Sequence, residues 1–196
     1  TNLCKTAIQR FPYSFGSAQW HALLAQLEAK ELKINVESYN IPGQPILLST
    51  YYKNTEKLHY KIVKVPFEAP DRIENYVEYA LTNKVMFTGT VNIKDPGDLK
   101  SHRTEIMLNA LPPGKYMVLV GPDNVPETAK AVTDYAEFIC TEMASIKMPV
   151  QEGYTDVFLV HRSTGAPLSG IIGEVREVYW DGNKYNNRNG GELTTD

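Results

Sequence analysis

From residue 32 onward, apolar and polar positions alternate. Leu32, Ile34 and Val36 point one way, and Lys33, Asn35 and Glu37 the other, which is the period of a strand with one buried face. Asn40-Ile-Pro-Gly43 turns the chain. Further strands are predicted over Pro45–Tyr52 and from Leu58 to near Pro66, with Lys53-Asn54-Thr55 as the turn between them. Lys84–Ile93 alternates again, with Val85, Phe87 and Gly89 against Met86, Thr88 and Thr90. The run from Ile106 to Gly121 organises the rest. Arg103–Leu108 and Lys115–Val120 read as a hairpin-like pair about the Pro112-Pro113-Gly114 break, and the second strand is apolar enough to be buried. Val132–Thr141 closes the set with Tyr135, Phe138 and Cys140 facing inward. About seven strands over ~110 residues is the size of an immunoglobulin-like sandwich.

Two stretches follow the helical period instead. Residues 1–31 form a helical segment broken at Phe11-Pro-Tyr-Ser-Phe-Gly16. Ser17 is placed to cap a helix over Ala18–Ala29, whose Trp20, Leu23, Leu24 and Leu27 make one apolar stripe. A helix, a short break and a second amphipathic helix resemble the tail of a tetratricopeptide-like pair. Within Pro70–Asn83, Ile73, Tyr76, Val77 and Ala80 fit a short helix capped by Asp71, expected to lie across the sandwich edge. Asp123–Lys130 reads as a polar loop. After the sandwich, assigned to 32–142, residues 143–196 are expected to start a second, incomplete β domain. Its strands are Tyr154–His161 and Ile171–Trp180, with turns at Arg162–Gly165 and Asp181-Gly-Asn183. Asn186–Gly191 is polar and Gly-rich, and the predicted strands number about three. The expected fold class is mainly β: an immunoglobulin/fibronectin-III-like β-sandwich with an N-terminal helical segment and a partial second sandwich.

Composition narrows the classes. The 196 residues carry a net charge of −3, so no basic footprint points to nucleic acid. No apolar run reaches the ~18 residues of a membrane helix. Thr1-Asn-Leu-Cys4 is no signal peptide, and the chain is expected to be an internal piece of a longer one. Cys4 and Cys140 are expected to be free. The four histidines, His21, His59, His102 and His161, stand in no zinc-binding spacing and are expected to be scattered and exposed. Asp95-Pro-Gly-Asp98 and Asp181-Gly-Asn183 read as solvated turns rather than calcium loops. Thr1 is set aside as a nucleophile. No catalytic, cofactor-binding or metal-binding residue is assigned, and the chain is expected to be no enzyme. The 12 tyrosines suit half-buried strands; in an exposed row they would instead stack on sugars or anchor partners.

Leu111-Pro-Pro-Gly-Lys-Tyr116, then Val157-Phe-Leu-Val-His-Arg-Ser-Thr-Gly-Ala-Pro-Leu-Ser-Gly170, and before them Glu37-Ser-Tyr-Asn-Ile-Pro-Gly-Gln-Pro45, resemble the large bacterial alpha-2-macroglobulin-like proteins, particularly those of Bacteroides-type bacteria. The resemblance runs from about Phe11 to Asp196 and is carried by the order and spacing of the motifs. It implies scaffold domains of a protease trap of the periplasm or cell envelope, acting without catalysis or cofactor. The implied partners are other domains of the same chain and, through them, target proteases. The family thioester has the form Cys-x-Glu-Gln; Cys140-Thr-Glu-Met143 lacks the Gln, so no thioester is implied here. The Thr-Gly-x-Pro-Leu motif is also common in bacterial surface sandwiches, and the alternative expectation is a carbohydrate- or protein-binding module of such a protein.

Overall fold

The computed structural model describes residues 1–67, 76–122, 133–151 and 154–196, and the chain divides into two compact units, Thr1–Cys140 and Thr141–Asp196. The first unit opens with helices α1 (Asn2–Arg10) and α2 (Phe15–Glu28). Strands β1 (Glu31–Val36), β3 (Ile46–Lys53) and β6 (His102–Leu108) form a three-stranded antiparallel sheet in the order β1-β3-β6. A five-stranded sheet has the order β2-β8-β7-β4-β5, with β2 at Tyr39–Asn40, β4 at Lys57–Val65, β5 at Val85–Asn92, β7 at Gly114–Gly121 and β8 at Asp134–Cys140. The links β3–β4, β5–β6 and β6–β7 each pass from one sheet to the other. This is the Greek-key wiring of an immunoglobulin-like sandwich, and the mainly β fold class is the one the alternation predicts.

The strand β7 is buried along nearly its whole length, because both its faces are covered. Tyr116, Val118 and Val120 point into the core between the sheets, with Ile34, Ile46, Leu48, Leu58, Ile62, Ile106 and Phe138. Met117 and Leu119 point the other way. There they meet Val63, Val65 and Ala80, with Tyr76, Tyr79 and Tyr135 packed around them. Ala80, Tyr76 and Tyr79 belong to helix α3 (Tyr76–Thr82). The helix therefore lies on the outer face of the five-stranded sheet rather than across its edge. Asp71 and Ile73, and the expected loop at 123–130, fall outside the described residues. Tyr135 is corrected by the same alternation: Phe138 and Cys140 face the inter-sheet core, so Tyr135 faces outward, with its ring 4.3 Å from that of Tyr76.

The pair expected to be hairpin-like is no hairpin. Strand β6 pairs with β3, and β7 pairs with β4 and β8. Residues 109–113 cross between the sheets, and Tyr116 holds the corner by donating its hydroxyl to the Pro112 carbonyl, 2.9 Å away. This is the tyrosine corner of immunoglobulin-like folds. Gly114 makes room for it, because a Cβ there would come 3.1 Å from the hydroxyl on a backbone with φ near +157°. The Gly43 amide donates to the Leu111 carbonyl at 2.9 Å, so the β2–β3 turn is pinned to the same corner. The count of about seven strands omitted β2, a two-residue parallel bridge to Ile139 and Cys140 too short for any period to register.

The second helix starts earlier than predicted, at Phe15 rather than Ala18. Ser14, not Ser17, stands at the α2 N-cap, and its hydroxyl donates to the Phe11 carbonyl; Ser17 is buried within the helix. Of the expected stripe, Trp20, Leu24 and Leu27 are half-buried and Leu23 is exposed.

The second unit contains β9 (Met143–Gln151), β10 (Tyr154–His161), β11 (Ile172–Trp180) and β12 (Tyr185–Thr194). These make two two-stranded antiparallel sheets, β10-β9 and β11-β12, so the expectation of about three strands was short by the unforeseen β9. The polar, Gly-rich Asn186–Gly191 lies inside β12 because cross-strand pairing overrides its low strand propensity. Thr195 links the hairpins: its hydroxyl donates to Leu168 O and accepts from the Ile171 amide.

If the corner holds the crossover, Tyr116→Phe leaves the Pro112 carbonyl without its donor and lowers the unfolding free energy by about 1–2 kcal/mol. Urea unfolding monitored by far-UV circular dichroism reads this directly, and an unchanged midpoint would show that the hydroxyl is dispensable.

Candidate functional site

Greek-key wiring gathers the β3–β4 turn and the β5–β6 loop at the end of the sandwich where β1 begins. Here a shallow groove is lined by Glu56, Lys57, Asn92, Ile93, Lys94 and Asp95, beside a second one that shares Glu56, Lys57 and Asp95 and adds Lys30 and Asn54. Its floor is set by the backbone: the Ile93 amide donates to Glu56 O at 2.8 Å, and the Tyr52 hydroxyl donates to Lys94 O at 2.8 Å.

The two carboxylates of Asp95-Pro-Gly-Asp98 are spent on their own loop. Asp95 accepts from the Gly97 amide at 2.9 Å and Asp98 from the Lys100 amide at 3.0 Å, the side-chain turns that make Asp a loop residue. His102 lies 2.8 Å from the Asp98 carboxylate. The imidazole and the Lys100 amide hold the Asp98 carboxyl below its ordinary range. A carboxylate–imidazole pair has the makings of an acid–base dyad, but this one closes a loop, with the His102 ring 6.0 Å from that of Tyr52.

The same end holds the helical pair. Lys53, at the end of β3, is buried, and its ammonium donates to the Gln26 carbonyl at 3.0 Å and to Glu31 Oε1 at 2.9 Å. Asn54 follows with φ of 53° and donates its side-chain amide to the Leu27 and Ala29 carbonyls, both at 2.8 Å. The last carbonyls of a helix have no partner within it and carry its negative dipole end. A cation and an amide from a strand turn satisfy them here, so α2 is capped by the sandwich itself. The sequence shows Lys53-Asn54-Thr55 as a turn; the tolerance of Asn for the left-handed region was the signal available for more.

The other residues weighed from the sequence are dispersed. His21 is exposed on α2. Against expectation the other three histidines are half-buried. His59 bonds Thr90 Oγ1 at 2.9 Å, and His161 lies 2.7 Å from Glu142 Oε2 in the second unit. Among the described residues, no three His, Cys, Asp or Glu side chains converge as metal ligands. Cys4 and Cys140 are free and buried, and burial pushes the Cys140 thiol up to about 11, which makes it a poor nucleophile. Thr1 stands at the α1 N-cap position, its carbonyl accepting from the Lys5 amide. Asp181 accepts from the Asn183 and Lys184 amides, closing the β11–β12 turn.

Asn54→Gly keeps the left-handed turn and deletes both side-chain bonds to α2. Amide exchange in the last turn of α2 is expected to quicken about tenfold, with β7 amides unchanged. Equal exchange in both proteins would mean that the turn does not hold the helix.

No family model and no curated protein matches the chain. Among solved structures it is similar to a CARDB domain from Pyrococcus furiosus, solved in complex with di-metal ions, at 6% identity and a TM-score of 0.33; the match covers 58% of this chain and 88% of that one.

Proposed function

We propose that the chain is a non-enzymatic structural and protein-binding module of a bacterial surface or envelope protein, in which the sandwich holds the helical pair in a fixed attitude. The carrying observation is the cap of α2 by Lys53 and Asn54. At the loop end Lys53, Asn54, Asp95 and Asp98 are engaged in holding backbone. Sugar stacking has less support, because the described tyrosine side chains form no row. Tyr52 and Tyr116 are buried, and the exposed Tyr13, Tyr39, Tyr51, Tyr179 and Tyr185 sit on five different segments. The envelope location rests on the family resemblance.

A narrower reading, scaffold of an alpha-2-macroglobulin-like protease trap, rests on the family resemblance of these motifs. Leu111–Tyr116 and Gly43 meet at the sandwich corner, and Leu168 and Gly170 bond Thr195 at the junction of the two hairpins. The gene beyond Asp196 tests it: a bait-like loop and a Cys-x-Glu-Gln motif support the trap, and a reading frame that soon ends removes it.

The broader proposal is tested by whether helices and sandwich melt together. In a Trp180→Phe background Trp20 is the remaining indole of the 2 in the chain, and it reports on α2. Its fluorescence transition is expected to coincide with the far-UV transition, and to separate from it once Lys53→Met and Asn54→Gly are added. Separate transitions before those changes, or substrate turnover that Asp98→Asn abolishes, would overturn the proposal.

A further inference from the structure

An open sheet edge is a template for another strand, and folded proteins guard theirs with charge, brevity or a covering group. Three of the four edges of the sandwich are guarded in this way. At β1, the Asp134 carboxylate takes the Ile34 amide at 2.9 Å. The edge strand β2 is two residues long. Strand β6 presents Arg103 and Glu105, paired at 3.3 Å. Among the described residues the fourth edge, β5, has no charge and no covering group, and its one irregularity is a register shift against β4 at Met86. It runs eight residues, Val85-Met-Phe-Thr-Gly-Thr-Val-Asn92, without a charge or a proline, and among the described residues only β4 pairs with it.

The middle of the strand, from Phe87 to Val91, is also nearly symmetric about Gly89. Thr88 and Thr90 flank it, then Phe87 and Val91, then Met86 and Asn92, then Val85 and Ile93. Its pairing with β4 fixes the faces: Phe87, Gly89 and Val91 lie opposite Ile62, Tyr60 and Leu58 on the core side, and Thr88 and Thr90 lie opposite Lys61 and His59 on the outer side. Phe87, Val91 and Ile93 are half-buried and border the core. At Gly89 a Cβ would come within 2.5 Å of the Tyr60 ring, so that ring fills the place of the missing side chain.

We propose that β5 is a self-association edge, pairing antiparallel with β5 of a second copy of this chain about a two-fold axis at Gly89. Residues directly opposite in an antiparallel pair share a face. Thr88 therefore meets the partner's Thr90 on the outer side, and Phe87 meets the partner's Val91 on the core side. Thr–Thr and aromatic–β-branched pairs are both favourable cross-strand combinations. The apolar border of each core continues into the other, and the isologous contact closes as a dimer. The pairing would bring Lys84 opposite the partner's Lys94, but both lie beyond the strand ends.

Sedimentation equilibrium of the chain from micromolar to millimolar concentration tests this with two double variants. Thr88→Glu with Thr90→Glu sets each Glu beside Lys61 or His59 within the monomer, yet opposes carboxylates twice across the dimer. Thr88→Glu with Thr90→Lys opposes Glu to Lys twice instead. The unmodified chain is expected to dimerise, the first variant to dimerise about tenfold more weakly or worse, and the second to recover the dimer. Circular dichroism confirms that each variant folds. A chain that stays monomeric at millimolar concentration, leaving the edge to a strand of another protein, overturns the proposal, as do two variants that associate equally.

Discussion

The structure depends on a single strand having two hydrophobic faces. Strand β7 sends Tyr116, Val118 and Val120 to the core between the sheets, and Met117 and Leu119 to the patch under α3. Each such side chain contributes about 1.5–3 kcal/mol when buried, so β7 couples the two clusters, as its neighbour β4 does with Leu58 and Ile62 on one face and Val63 and Val65 on the other. The crossover before it must then be exact, because a slip of one residue would exchange the faces. The Tyr116 hydroxyl and the space left by Gly114 fix that register.

Much of the sandwich was legible because period two survives wherever one face is dry and the other wet. Strands β1, β3, β4 and β5 fall within a residue or two of the alternation in the sequence, and Ala80 and Tyr76 pack as their helical spacing requires. What misled was partner choice. Apolar pattern says that β6 and β7 are strands, but not that they belong to different sheets, since the Pro-Pro-Gly break suits a crossover as well as a hairpin. Tyr135 went astray because a strand with apolar residues on both faces has no visible inside. Strand β12 shows the limit from the other side: Asn186–Gly191 has no strand propensity to read, and only pairing with β11 makes it one.

The candidate site was legible as a turn and no further. Lys53 and Asn54 look like ordinary turn residues until the end of α2 is placed against them, a contact between segments 27 residues apart that local pattern does not encode. The same long-range character runs through the polar groups of this unit. Asp134 serves an amide 100 residues away, and Tyr52 a carbonyl 42 residues away. A chain that uses its buried polar side chains to secure distant backbone gains definition of shape, because buried polar groups are costly unless every one finds its partner.

The cap of α2 also decides how this module would carry tension. The helix joins the sandwich covalently at β1 and non-covalently at the end of β3, and these two strands are hydrogen-bonded neighbours with Glu31 opposite Lys53. A pull on the helical pair is thus divided between adjacent strands at one end of a sheet. Lys53 and Asn54 brace the helix against the end of β3, so a load on it is shared between β1 and β3 rather than borne by β1 alone.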